Sequence, residues 1–115
     1  MQADAFFQIS REVRYVALYL DGQLTLHQRP GLVNASAAES DKYEELIVNP
    51  AVLTLVQQRG NIDCGGVEFV LIRYGNFWQT VWPLKNGHVS LGLEPHANPL
   101  EHAARIQAMI AAQRS

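Results

Sequence analysis

The feature that most constrains this chain is a pair of short turn signals, Asp21-Gly22 and the Asn-Gly of Lys85-Asn86-Gly87, each set between apolar runs. Both dipeptides suit the positive φ angles that a tight hairpin needs. The first joins a run in which Val13, Tyr15, Ala17 and Tyr19 alternate with Arg14, Val16, Leu18 and Leu20 to a second run, Gln23–Gln28, closed by Pro30-Gly31. The second joins Phe77–Leu84 to His88–Leu93, and a further run, Val67–Tyr74, stands just before it across Gly75-Asn76. Turns this short connect only antiparallel neighbours, so the chain is committed to an antiparallel sheet of five strands. Several of these strands are apolar on both faces, which calls for cover on both sides of the sheet.

Three stretches read as helical. Ala3–Ile9 offers about two turns anchored by Phe6, Phe7 and Ile9. Ser40 is a suitable N-cap for a central helix, with Asp41 and Glu44 where the helix dipole favours negative charge and Tyr43, Leu46 and Ile47 at helical spacing. Asn49-Pro50 then looks like a second start, so this segment is either two short helices or one helix kinked at Pro50, ending at Gly60. Asn98 caps a last helix from Pro99 to about residue 113, with Leu100, Ala103, Ile106 and Ile110 along one stripe. The simplest sheet places the first strand beside the fifth, in the order 2-1-5-4-3. The expected fold is therefore an α/β chain of the α+β type, β-β-α-β-β-β-α with a short N-terminal helix, forming one domain over residues 1–115.

Composition narrows the function classes. With 48% hydrophobic and 17% charged residues, the 115-residue chain can fill a core without disulfides or metal. A net charge of -2 gives no electrostatic reason to expect a nucleic-acid partner. The longest apolar runs fall well short of a membrane span, so membrane insertion is not expected. The N-terminus lacks the basic start and apolar core of a signal peptide, and the single Cys64 fits a reducing compartment. The expected location is cytoplasmic.

No constellation in the sequence carries obvious chemistry. His96 and His102 are six residues apart across a Pro-containing loop, unlike a helical ligand pair. His27 and His88 could lie on adjacent strands, but no carboxylate or Cys accompanies them, and all four histidines read as surface or half-buried groups. Cys64 precedes a strand with Asp63 beside it, which disfavours a thiolate. Gly65-Gly66 opens a strand instead of a helix and so makes no phosphate cradle. Asp41, Glu44 and Glu45 are most simply a solvated helix start. No catalytic, metal-binding or cofactor-binding residue is assigned, and no cofactor is expected. Trp78 and Trp82, four apart on one strand, share a sheet face and serve either as core beneath a helix or as partner or pocket aromatics.

Three stretches together resemble the roadblock/dynein light-chain family of profilin-like domains. Tyr15-Val-Ala-Leu-Tyr-Leu-Asp-Gly-Gln-Leu is similar to its opening hairpin, and Asn49-Pro-Ala-Val-Leu-Thr-Leu-Val lies where the family keeps its central helix. Val89-Ser-Leu-Gly-Leu with Ala103-Ala-Arg-Ile-Gln-Ala-Met-Ile is similar to its last strand and C-terminal helix. The resemblance implies a homodimer whose central helices pack together and whose third strands pair, acting as a platform on a small GTPase or a motor or signalling complex. The short first helix and Pro50 depart from the family pattern.

The residues themselves point the same way. The third strand, at the sheet edge, carries Val67, Phe69, Val70, Leu71 and Ile72 with no Pro or Lys to blunt it. Ala51, Val52, Leu53, Leu55 and Val56 cover more of a helix than one sheet can bury. The expected interface comprises Val52, Leu55, Val56, Val67, Phe69 and Leu71. The expected function is a non-enzymatic homodimeric adaptor or regulator. The alternative is a PAS-like small-molecule sensor, because PAS domains share this strand order and hold ligands between sheet and helices, with Trp78 and Trp82 then lining the pocket.

Overall fold

The computed structural model describes residues 1–114, with side chains through Ala112. The described chain is an α+β domain built on one five-stranded antiparallel sheet in the order β2-β1-β5-β4-β3. The strands are β1 (Val13–Leu20), β2 (Gln23–Gln28), β3 (Val70–Arg73), β4 (Trp78–Leu84) and β5 (Gly87–Leu93). Helices α1 (Ala3–Phe7) and α4 (Pro99–Arg114) cover one face. The other face carries a continuous helical arm of α2 (Ala38–Tyr43), a π-helical segment (Glu44–Val48) and α3 (Asn49–Asp63). Among the described residues no helix is long and apolar enough to cross a membrane.

The first turn signal does what its residue types dictate, whereas in the second Leu84 pairs with Gly87, so the turn itself is Lys85-Asn86 and Gly87 belongs to β5. Asp21 and Gly22 adopt φ of 51° and 78°, the left-handed pair a two-residue hairpin requires. Gly87 opens β5 at φ 155°, and a Cβ placed there would lie 1.7 Å from the Tyr19 carbonyl oxygen. Only glycine lets β5 approach β1 this closely. The two hairpin ends are also joined, since the Asp21 amide donates to the Asn86 carbonyl at 2.9 Å.

Alternation along the strands divides the sheet chemically. Val16 and Leu18 of β1, Trp82 of β4, and Val89, Leu91 and Leu93 of β5 face α1 and α4, where Phe6, Ile106 and Ile110 complete a dry core. Fully burying side chains of this size contributes about 1.5–3 kcal/mol each. A bulge at Arg14 keeps Val13 on the core face while turning both Arg14 and Tyr15 to the other side. That side is polar at the centre, with Tyr15, Gln79, His88 and Ser90 beneath the helical arm.

The structure corrects several boundaries. The third strand is half the expected length, because residues 64–69 run without ladder pairing before β3 begins at Val70. The arm is not two separate helices but one continuous helical segment through Pro50. Pro50 has no N–H to return to Leu46, and the π turn just before it lets the helix continue through. Ser40 lies inside α2, whose N-cap position is Ala37 with no side-chain cap. Gly60 does not end α3, which runs on to Asp63: it is buried in the last turn, where a Cβ would meet Val67 Cγ2 at 3.0 Å. The stop comes at Gly65-Gly66, with φ of 81° and 86°, where the Gly66 amide donates back to the Gly60 carbonyl. Asn98 caps α4 as its residue type predicts, accepting from the Leu100 amide at 3.1 Å.

Replacing Gly87 with alanine should force β5 away from β1 and cost about 2–4 kcal/mol. Thermal unfolding should then show a melting temperature lowered by roughly 10 °C or more. An unchanged melting temperature would rule out the close strand approach described above.

Candidate functional site

The most heavily bonded side chain in the described structure is Glu45, which is completely buried in the π-helical segment. Its Oε2 accepts from the Tyr15 hydroxyl at 2.6 Å, the Ser90 hydroxyl at 2.6 Å and Gln79 Nε2 at 3.3 Å. Its Oε1 accepts from His88 Nε2 at 2.7 Å and Asn49 Nδ2 at 2.9 Å. One carboxylate thus joins the helical arm to three strands, β1, β4 and β5. Burial pushes the Glu45 pKa up, but the hydrogen bonds from His88, Ser90 and Tyr15 outweigh it and hold the group below the ordinary glutamate range. The charged form is the one the site is built for. Burial, reinforced by the Glu45 charge, drives the Tyr15 phenol far above its ordinary range, so it remains a donor.

Beside this cluster a cavity of about 200 Å³ opens between sheet and arm. Arg14, Tyr15, Phe77, Gln79 and Gly92 line its sheet side, and Ser40, Asp41 and Glu44 its helical side. Gly92 leaves the room, since a Cβ there would lie 3.3 Å from Tyr15 Cβ and 3.5 Å from Phe77 Cδ2. Arg14 is buried and committed: Nη1 bonds Glu94 at 3.3 Å, while Nη2 donates to the Val33 and Asn34 carbonyls at 2.8 and 3.2 Å. Ser36 donates to Asp41 at 2.5 Å and Tyr74 donates to Glu44 Oε1 at 2.7 Å. Glu44 Oε2 is buried without a partner among the described residues. Burial raises the pKa of both Asp41 and Glu44 despite these bonds, and burial with the Glu44 bond pushes Tyr74 up to about 12.

The expectation that Asp41, Glu44 and Glu45 form a solvated helix start is therefore overturned. All three turn toward the sheet, Glu45 completely. His88 is not a surface or half-buried histidine but is 2% exposed against Glu45. His27 and His88 are not on adjacent strands, because β1 runs between β2 and β5. His96 and His102, although six apart, converge on Glu12, with Nε2 3.5 and 2.8 Å from its carboxylate oxygens. Among the described residues no group of three or more His, Cys, Asp or Glu side chains is placed to hold a metal ion. Cys64 is exposed at the end of α3, its Sγ 3.4 Å from Asp63 Oδ1, and it does not directly precede a strand.

The residues expected at an interface fall into two groups. Leu55 and Val56 are exposed on α3, at 68% and 36%, and Val52 beside them is half-buried. Leu46 and Ile47, from the π-helical segment, are exposed as well. Val67 packs against Gly60. Phe69 and Leu71 lie on the opposite sheet face: Phe69 stacks on Trp82 with centroids 4.6 Å apart, and Leu71 pairs with Thr80. Val70 and Ile72, paired with Val81 and Gln79, are the edge residues on the same side as the arm. Trp82 is core, its indole N–H donating to Thr80 Oγ1 at 3.0 Å, and Trp78 packs partly buried at the core margin under Arg73. Neither lines the cavity between sheet and arm.

No family model matches this sequence, and no curated protein is significantly similar to it.

Replacing Glu45 with glutamine should remove the charge five donors converge on and cost about 3–5 kcal/mol, read from denaturant unfolding. Because the folded Glu45 pKa lies below the ordinary value of 4.5, its stabilisation is present above pH 4.5 and lost as pH falls through the folded value. Asp41 and Glu44, with raised values, act in the opposite sense and gain stability as pH falls through their folded pKa values. The acid loss of stability should accordingly be shallower in Glu45→Gln than in wild type. An equally steep loss would show that Glu45 is not its source.

Proposed function

We propose that this chain is a non-enzymatic homodimeric adaptor or regulator of the roadblock type, joined through the outward face of the helical arm and the free edge of β3. The observation that carries this reading is the concentration of exposed apolar side chains on the arm. Tyr43, Leu46, Ile47, Leu55, Val56 and Ile62 all lie between residues 38 and 63, against three large exposed hydrophobics elsewhere in the described chain. A surface patch of this kind marks an interaction site.

The chemistry of the patch favours a second copy as occupant. The only charges on α3, Arg59 and Asp63, are paired with each other, so two copies of this face meet without like-charge repulsion. Among the described residues the outer edge of β3 has no strand beside it, and it carries only Arg73 as a charge, at its end. Antiparallel pairing of two such edges about a twofold axis would satisfy both sets of backbone groups at once. The resemblance of the hairpin, central helix and last strand to the roadblock family supports the same arrangement. A small GTPase or a motor or signalling complex is then the class of client, by analogy of fold. The cytoplasm is the compartment in which such clients are met.

Multi-angle light scattering at tens of micromolar should give a dimer for wild type. Leu55→Glu and Val56→Glu, which place charge on an already exposed face, should give monomers with unchanged circular dichroism. A monomeric wild-type protein would overturn the proposal.

A further inference from the structure

We infer that the cavity between the sheet and the helical arm is a binding site for a small organic cation, an ammonium group on a short apolar or aromatic body. The inference does not rest on dimerisation, because the cavity opens beside Glu44 on the inner side of the arm.

The donor and acceptor inventory sets the sign of the ligand. Most donors at the cavity are turned into the protein: the Tyr15 hydroxyl and Gln79 Nε2 to Glu45, the Tyr74 hydroxyl to Glu44 Oε1, the Ser36 hydroxyl to Asp41, and Gln28 Nε2 to Ser36. Both terminal nitrogens of Arg14 are committed to Glu94 and to backbone carbonyls. What remains is the exposed Ser40 hydroxyl, which accepts as well as donates, and a buried acceptor, Glu44 Oε2, which has no partner among the described residues. A buried carboxylate oxygen without a donor is costly, and an ammonium N–H supplies what it lacks. An anion would instead meet Asp41 and Glu44 with Glu45 directly behind them.

The remaining walls fit the body of such a ligand. Tyr74 and Phe77 stand 5.4 Å apart, centroid to centroid, and with Tyr15 they offer aromatic surface next to the carboxylates, the pairing that recognises organic cations. The volume of about 200 Å³ lies below the range of roughly 300–1,000 Å³ usual for drug-sized ligands, so the occupant is small. Burial already raises the pKa of Asp41 and Glu44, and a cation placed between them would relieve that cost.

Titration of the full chain with phenethylammonium, followed by amide chemical shifts, tests the site. Binding should perturb Glu44, Tyr74, Phe77 and Gly92 at millimolar or lower concentration. The anion phenylacetate and neutral benzyl alcohol should bind at least tenfold more weakly. Glu44→Gln should weaken phenethylammonium about tenfold or more, the size of one lost charge-assisted bond. Should that variant fail to fold, the comparison of the three probes on wild type decides alone. Absence of shifts at these residues up to millimolar concentration, or phenylacetate binding as tightly as the ammonium, would overturn the inference.

Discussion

The structure depends on one buried carboxylate. Removing Glu45 from water carries a desolvation penalty of several kcal/mol, and only a full set of donors offsets it. Five donors from β1, β4, β5 and α3 converge on it. Because those donors lie at fixed points on the sheet, the arm can sit in only one rotation and one position along it. The π turn that carries Glu45 and the helix that continues through Pro50 belong to the same arrangement. An amphipathic helix held by apolar contacts alone could slide, whereas one pinned by charge-assisted bonds loses them all if it moves.

This constraint explains why the two faces of the sheet differ. The face under α1 and α4 is dry and close-packed around Phe6, Leu91 and Ile106, which makes it the source of bulk stability. The face under the arm spends its centre on polar bonds, leaves a cavity at Gly92, and buries on α3 only Asn49, Leu53 and Gly60. Much of the arm's apolar surface therefore remains outside, available to other molecules. A helix positioned by a buried charge has less need of an apolar inner stripe.

Much of the architecture was legible in local sequence. Asp21-Gly22 specifies a hairpin because few other pairs tolerate its backbone angles, Gly87 is needed where β5 approaches Tyr19, and Asn98 before Pro99 marks the start of α4 for an equally local reason. The strand order followed from antiparallel neighbours plus the simplest join of the two groups, first strand beside fifth. The length of β3 was not legible, because Val67 packs on the α3 end and Phe69 on Trp82 instead of their segment pairing. The Trp pair read correctly as sharing a face, but alternation cannot say which face meets a cavity.

The sequence by itself determined the antiparallel hairpins, since those follow from backbone geometry over two to eight residues, while the order rested on the simplest join of first strand to fifth, a pairing distant in sequence. Only the tertiary structure decided what the charged residues do. Glu45 meets His88 across 43 residues and Ser90 across 45, Arg14 meets Glu94 across 80, and Glu12 meets His102 across 90. A glutamate at a helix start looks the same in sequence whether it faces water or a ring of donors. The difference is made by burial, which turns an ordinary surface charge into the point that fixes the arm on the sheet and aligns the carboxylates beside the cavity.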